Sequence, residues 1–179
     1  MIGTYVGFAT VGIFVYWYIG FENADGHPLI TFEQLSNWNK CTEWKDFSLP
    51  SFGGYDLAAN PCIYFTDGKA KAATLSLTVL VVIEMFNAFN AISDEASLLV
   101  QPFYSNLWLI LAVTASMTVH SMILYVPFLN PIFGVLPLDL NEWTLVLAFS
   151  FPVILIEEGM KIIFRHTTAT THDHKIKKD

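Results

Sequence analysis

Three long runs of this 179-residue chain are almost free of charge. Residues 1–21 hold none, residues 72–93 hold only Glu84, and residues 96–138 hold none. A spanning helix needs roughly 20 mostly apolar residues, so the runs predict an integral membrane protein. The composition agrees, at 54% apolar, with a net charge of −7 that is concentrated outside the runs.

The opening segment, MIGTYVGFATVGIFVYWYIGF, reads as a spanning helix rather than a signal peptide. It lacks a basic leading region and a small-residue cleavage site, and it ends in the aromatic cluster Tyr16, Trp17, Tyr18 and Phe21. Aromatics collect where a helix crosses the headgroup level. Gly3 and Gly7 form a GxxxG, a pattern that lets a second helix approach closely.

The expected architecture is an all-α membrane protein with four transmembrane helices and a long loop between the first two. Spans are placed at 1–21, 68–93, 104–125 and 140–165. The loop covers 22–67, a short connection 94–103, a second loop 126–139, and a polar tail 166–179. Pro127 and Pro131 terminate the third helix, and Asp139 or Asn141 caps the fourth, which Pro152 is placed to kink. The apolar 126–139 stretch reads as a re-entry loop seated at the membrane interface. No internal repeat is visible.

The first loop carries Glu22, Asp25, Glu33, Glu43, Asp46, Asp56 and Asp67 against Lys40 and Lys45, together with Cys41 and Cys62, the chain's only cysteines. Four helices put both termini on one side, and the Lys/Arg balance between the sides, five against four, decides nothing. A cysteine pair in one extramembrane loop is what an oxidising compartment permits. Closing a loop of about 20 residues stabilises it by roughly 3 kcal/mol in the chain-entropy model. The alternative is two unrelated free thiols. A disulfide would make the loop lumenal and the termini cytoplasmic. The ending KIKKD, with Lys175 and Lys177, resembles a dilysine endoplasmic-reticulum retrieval signal, an address that works only on a cytoplasmic tail.

Glu84 is the anomaly. A charge at mid-helix costs roughly 2.5–3.5 kcal/mol on the insertion scale. At about 100° per residue, Ser76, Glu84 and Asn87 fall within roughly 80° of one another, and Asn90 widens the arc to about 120°. This polar stripe is expected to face protein rather than lipid. Carboxylate and amide oxygens suit hard cations, but calcium takes six to eight of them. The first and third helices offer only Thr4, Thr10, Thr114, Ser116, Thr118 and His120. Either Glu84 lies on an ion path whose other ligands come from elsewhere, or it is a hydrogen-bonded packing element. His120 reads as an interhelical hydrogen bond. Glu157, Glu158, Lys161 and Arg165 read as an interfacial salt-bridge cluster, and Trp108, Trp143 and Tyr125 as interface anchors. His166, His172 and His174 are too irregularly spaced to argue for a metal site.

At this point the residues resemble a known family. TLSLTVLVVIEMFNAFNAISDEASLL resembles the eighth transmembrane helix of endoplasmic-reticulum-type calcium pumps, P-type ATPases of the sarco/endoplasmic reticulum class. ILYVPFLNPIFGVLPLDLNEWTLVLAFSFPVILIEEGMK looks like their ninth-to-tenth helix region, and GTYVGFATVG like their seventh helix. QLSNWNKC and NPCIYF resemble the lumenal loop around its paired cysteines, and the long loop and lysine-ended tail look closest to the plant ER-type branch. The resemblance covers residues 1–165 in order.

It implies that Glu84 contributes to one of two calcium sites and that Cys41 and Cys62 form the lumenal disulfide. It also implies an endoplasmic reticulum membrane location with the bilayer, the remaining pump helices and the cytoplasmic domains as partners. Calcium or manganese is the transported ion, and nucleic acid is not a partner. The D-K-T-G-T phosphorylation motif is missing, as are the phosphatase loop and the nucleotide-binding domain. ATP and magnesium therefore belong to the parent pump, and this chain alone is expected to be inactive as a fragment, partial gene model or truncated paralogue. The competing expectation is a stand-alone four-helix scaffold or pump-interacting protein without transport activity. A tetraspanin-like protein ranks lower, because those loops carry more cysteines.

Overall fold

The computed structural model describes residues 2–22, 26–44, 57, 60–92 and 106–163. Among them every regular element is helical: α1 (Ile2–Ile19), α2 (Phe32–Ser36), a 3-10 turn (Trp38–Glu43), α3 (Ile63–Thr66), α4 (Ala70–Ile92), α5 (Leu107–Tyr125), α6 (Asn130–Phe133) and α7 (Leu140–Ser150). A last helix, α8, covers 152–163. α1, α5 and the stretch Ile63–Ala91 are each long and apolar enough to cross a membrane.

The fourth expected span is a broken helix. Pro152 has no N–H for the carbonyl four residues earlier, and its ring crowds that turn. α7 closes with Phe151 N donating to Leu147 O at 2.8 Å, and Ile154 N makes a tighter turn onto Phe151 O at 3.1 Å. A neighbouring helix reaches into the break, where the Tyr5 hydroxyl donates to Phe149 O at 2.6 Å. At the other end Asp139, not Asn141, is the cap. It accepts from Glu142 N while Glu142 Oε2 accepts from Asp139 N, both at 2.8 Å, a reciprocal capping box. Asn106 caps α5, which stops at Tyr125 ahead of Pro127.

α4 packs chiefly against α1 and α7, and only lightly against α5. Its Leu75, Val79 and Ile83 are fully buried, as are Ile13 and Trp17 of α1. Lipid tails are as apolar as leucine, so these contacts stabilise through dispersion and fit rather than through removal from water. Between α1 and α7 the approach is close at Gly12, where an added methyl would lie 3.3 Å from the Phe149 ring. Gly3 and Gly7 have open space around them, so no described residue packs on the GxxxG face.

The first loop folds back onto the end of α1. His27 stacks on Trp17 with ring centres 4.1 Å apart, and Tyr18 meets Tyr64 edge-on at 5.2 Å. The Tyr64 hydroxyl donates to Pro28 O at 2.8 Å, and Ile30 N to Tyr18 O at 2.9 Å. Trp17 and Tyr18 are buried beneath the loop, whereas Tyr16 keeps an exposed ring. A disulfide joins Cys41 to Cys62, with Cα atoms 5.7 Å apart across a separation of 21 residues. It ties the 3-10 turn to the entry of α3, one short step ahead of α4.

Cys62→Ser should cost the loop roughly 3 kcal/mol in the chain-entropy model. The expected readout is faster proteolytic clipping within 22–67, matched in the unsubstituted protein by adding a reductant.

Candidate functional site

α4 is built as a rigid rod. Between Lys71 and Glu84 it contains neither Gly nor Pro, and its polar side chains reach a different neighbour at nearly every turn. Lys71 Nζ meets Glu142 Oε2 at 2.9 Å and the Pro137 carbonyl at 2.6 Å. Thr74 Oγ1 accepts from Leu136 N at 3.0 Å, and Ser76 Oγ donates to Thr10 O of α1 at 2.8 Å. His120 of α5 lies 3.2 Å from Thr78 Oγ1 through its Nε2, which is the expected interhelical bond. Near the far end, Lys161 Nζ of α8 donates to Asn90 O at 3.4 Å.

Glu84 is the exception. Its side chain is exposed, on a stripe with Ala73, Leu77 and Leu80 at the i, i+4, i+7, i+11 spacing of one helix face. The expected stripe of Ser76, Glu84, Asn87 and Asn90 is therefore divided. Ser76 turns to α1, and Asn90 is buried with 3% exposure. Asn87 and Asn90 line a cavity of about 300 Å³ shared with Glu157 and Lys161 of α8. Asn87 Oδ1 and both side-chain polar atoms of Asn90 find no hydrogen-bond partner among the described residues. The split follows from packing: α1 and α8 cover one side of α4, and none of the described residues covers the side that carries Glu84.

Among the described residues no three of the His, Cys, Asp and Glu side chains cluster to hold a metal. Glu84 therefore offers one carboxylate where a calcium ion takes six to eight oxygens. The α8 charges divide as well. Glu158 pairs with Lys161 at 3.6 Å, whereas Glu157 is buried at 7% exposure beside the asparagines. Arg165, His166, His172, His174, Lys175 and Lys177 lie outside the described residues.

The Lys71–Glu142 pair escaped the sequence reading. Glu142 is fully buried and Lys71 nearly so, at 13% side-chain exposure. No local pattern joins residues 71 positions apart. The only signal was Lys71 itself, a cation at the edge of an otherwise apolar helix.

A family model for the C-terminus of cation transporting ATPases matches residues 1–163. The chain is 49% identical over 178 residues to calcium-transporting ATPase 4, endoplasmic reticulum-type, of Arabidopsis thaliana, covering 94% of this chain and 17% of that protein. It is 51% identical over 178 residues to calcium-transporting ATPase 2, endoplasmic reticulum-type, of the same plant, covering 92% and 17%. To a calcium-transporting ATPase of Plasmodium falciparum it is 50% identical over 161 residues, covering 90% and 13%. The chain spans about one sixth of the length of the first two relatives.

Lys71→Met leaves Glu142 buried without its partner, a change that costs roughly 3–5 kcal/mol. The double variant Lys71→Met/Glu142→Met removes both charges and should recover most of that loss. Thermal unfolding of the purified membrane protein in detergent checks both values.

Proposed function

Because the chain belongs to the cation transporting ATPase family, whose C-terminal region it matches, we propose that it is the last four-span unit of an endoplasmic-reticulum calcium pump and gives one carboxylate, Glu84, to cation binding. The observation that carries this reading is the position of Glu84. It is an ionisable group on the open face of a rod pinned on its other sides, where an incoming set of helices would complete the coordination. The relatives named as calcium-transporting support calcium as the transported substrate; manganese is the second hard cation that oxygen ligands would accept.

In this reading α1, α4, α5 and the α7–α8 pair are the four spans. The disulfide loop and residues 126–139 lie on the lumenal side, and residues 94–103 and 166–179 on the cytoplasmic side. The endoplasmic-reticulum-type relatives support that membrane as the location, with Lys175 and Lys177 as the retrieval signal. ATP, magnesium and the phosphorylation chemistry reside in domains outside this sequence. The unit's task is mechanical and electrostatic: it holds α4 at a fixed depth and presents Glu84 to the transport helices.

Two measurements test this. In the full-length pump, Glu84→Gln should raise the calcium concentration needed for half-maximal phosphorylation by at least tenfold, equivalent to about 1.4 kcal/mol of lost binding; an unchanged value removes Glu84 from the ligand set. Replacing Lys175 and Lys177 by alanine should release the pump from the endoplasmic reticulum, and unaltered location by microscopy would dismiss the retrieval role.

A further inference from the structure

Between α5 and α7 the chain leaves regular helix for all but one short turn, and its side chains divide into two sets. Val135 and Leu138 are buried, at 5% and 4% exposure, whereas Phe128, Ile132 and Phe133 are 75%, 61% and 56% exposed. Nothing charged lies between residues 96 and 138. Three large apolar side chains project from one turn.

The backbone says which solvent they meet. A turn in water needs few internal partners, because water supplies them; in hydrocarbon each polar group must be met by protein. Pro127, Pro131 and Pro137 have no N–H to satisfy. Leu129 N and Asn130 N reach Val126 O, Phe133 N reaches Leu129 O, and Val135 N reaches Asn130 O. Gly134, at φ +64°, closes the α6 turn by donating to the same Asn130 carbonyl. The Asn130 amide caps the end of α5, donating at 2.9 Å to the carbonyls of both Ile123 and Leu124. Side chains from elsewhere add three more: Leu136 N goes to Thr74 Oγ1, the Pro137 carbonyl to Lys71, and the Leu138 carbonyl to the Tyr125 hydroxyl at 2.8 Å. The Trp143 indole N–H closes the set on the Tyr125 oxygen at 2.7 Å, a pairing of the two ring types that sit at membrane boundaries.

We propose that residues 126–139 are a lipid-inserted wedge in the leaflet on the disulfide-loop side. Phe128, Ile132 and Phe133 enter the acyl chains, and Lys71 and Thr74 carry the wedge's depth to α4. The ligand class is bilayer hydrocarbon. The proposal does not depend on Glu84 binding a cation, since it rests on exposure and backbone satisfaction alone.

The experiment uses the full-length pump in phosphatidylcholine vesicles, with Ile132→Cys carrying an environment-sensitive fluorophore on a background where only that thiol reacts. The expected result is blue-shifted emission, quenched several-fold more strongly by nitroxides on acyl chains than by aqueous iodide. Dominant iodide quenching would mean a water-facing loop, and quenching by neither would mean a covering protein helix; each outcome overturns the wedge. In Lys71→Met/Glu142→Met the same label should become more accessible to iodide, and an unchanged profile overturns the coupling to α4. For a version free of substitutions, a photoreactive apolar reagent confined to the lipid phase should label residues 128–133 of the unmodified pump. Labelling of α5 without that turn would equally sink the proposal.

Discussion

Hydrocarbon offers a polar group no partner, so each hydroxyl, amide and charge inside the bilayer must be met by another part of the protein. α4 turns that demand into architecture. Lys71 ties it to α7 and to the preceding loop, Thr74 to Leu136, Ser76 to α1, Thr78 to α5, and the Asn90 carbonyl to α8. Each bond is modest, since interhelical hydrogen bonds in membranes average about 0.6 kcal/mol. Their value is in direction. They come from several sides and at successive levels, so α4 can neither slide nor rotate without breaking several at once.

Packing follows the same logic, because lipid removes the usual hydrophobic drive between helices. Close approach is bought with a missing side chain at Gly12, against Phe149. Beside that contact, Tyr5 reaches the Phe149 carbonyl near the interruption made by Pro152. The break between α7 and α8 is thus held by a neighbour, and α8 continues beyond it to bring Glu157 and Lys161 to the far end of α4. A straight helix would have met none of these conditions so economically.

What could be read from the sequence divides along local and distant lines. The three helices long and apolar enough to cross a membrane were legible because a nearly charge-free run of this length has few other fates. The cap at Asp139 was visible as one of two candidates, since capping chemistry is local. The Thr31/Gln34 capping box that starts α2 is local chemistry of the same kind, but the charges and the cysteine pair dominate the reading of that loop. The Lys71–Glu142 pair, the Gly12 contact and the aromatic stack under the disulfide loop were not legible, because each depends on which helix faces which. The wheel at Ser76, Glu84, Asn87 and Asn90 was right about angle and incomplete about neighbours. An arc of 120° is wide enough for α1 and α8 to cover one edge and leave the other bare.

That bare edge is where stability and function part company. A unit optimised only to sit in lipid would not keep an exposed carboxylate among Leu77 and Leu80, since the charge costs roughly 2.5–3.5 kcal/mol at mid-membrane and nothing here offsets it. Nor would it bury two asparagine amides with unmet oxygens and nitrogens beside a cavity. The hydroxyls and the lysine of α4 are matched, whereas Asn87 and Asn90, on the side that α1 and α8 cover, keep side-chain polar atoms with no partner among the described residues. Gly3 and Gly7 on α1 add a second surface with none of the described residues against it. Glu84 stands apart from both sets, exposed on a face of α4 that the described neighbours leave open. The pins on the other sides fix the depth and rotation at which α4 presents that carboxylate.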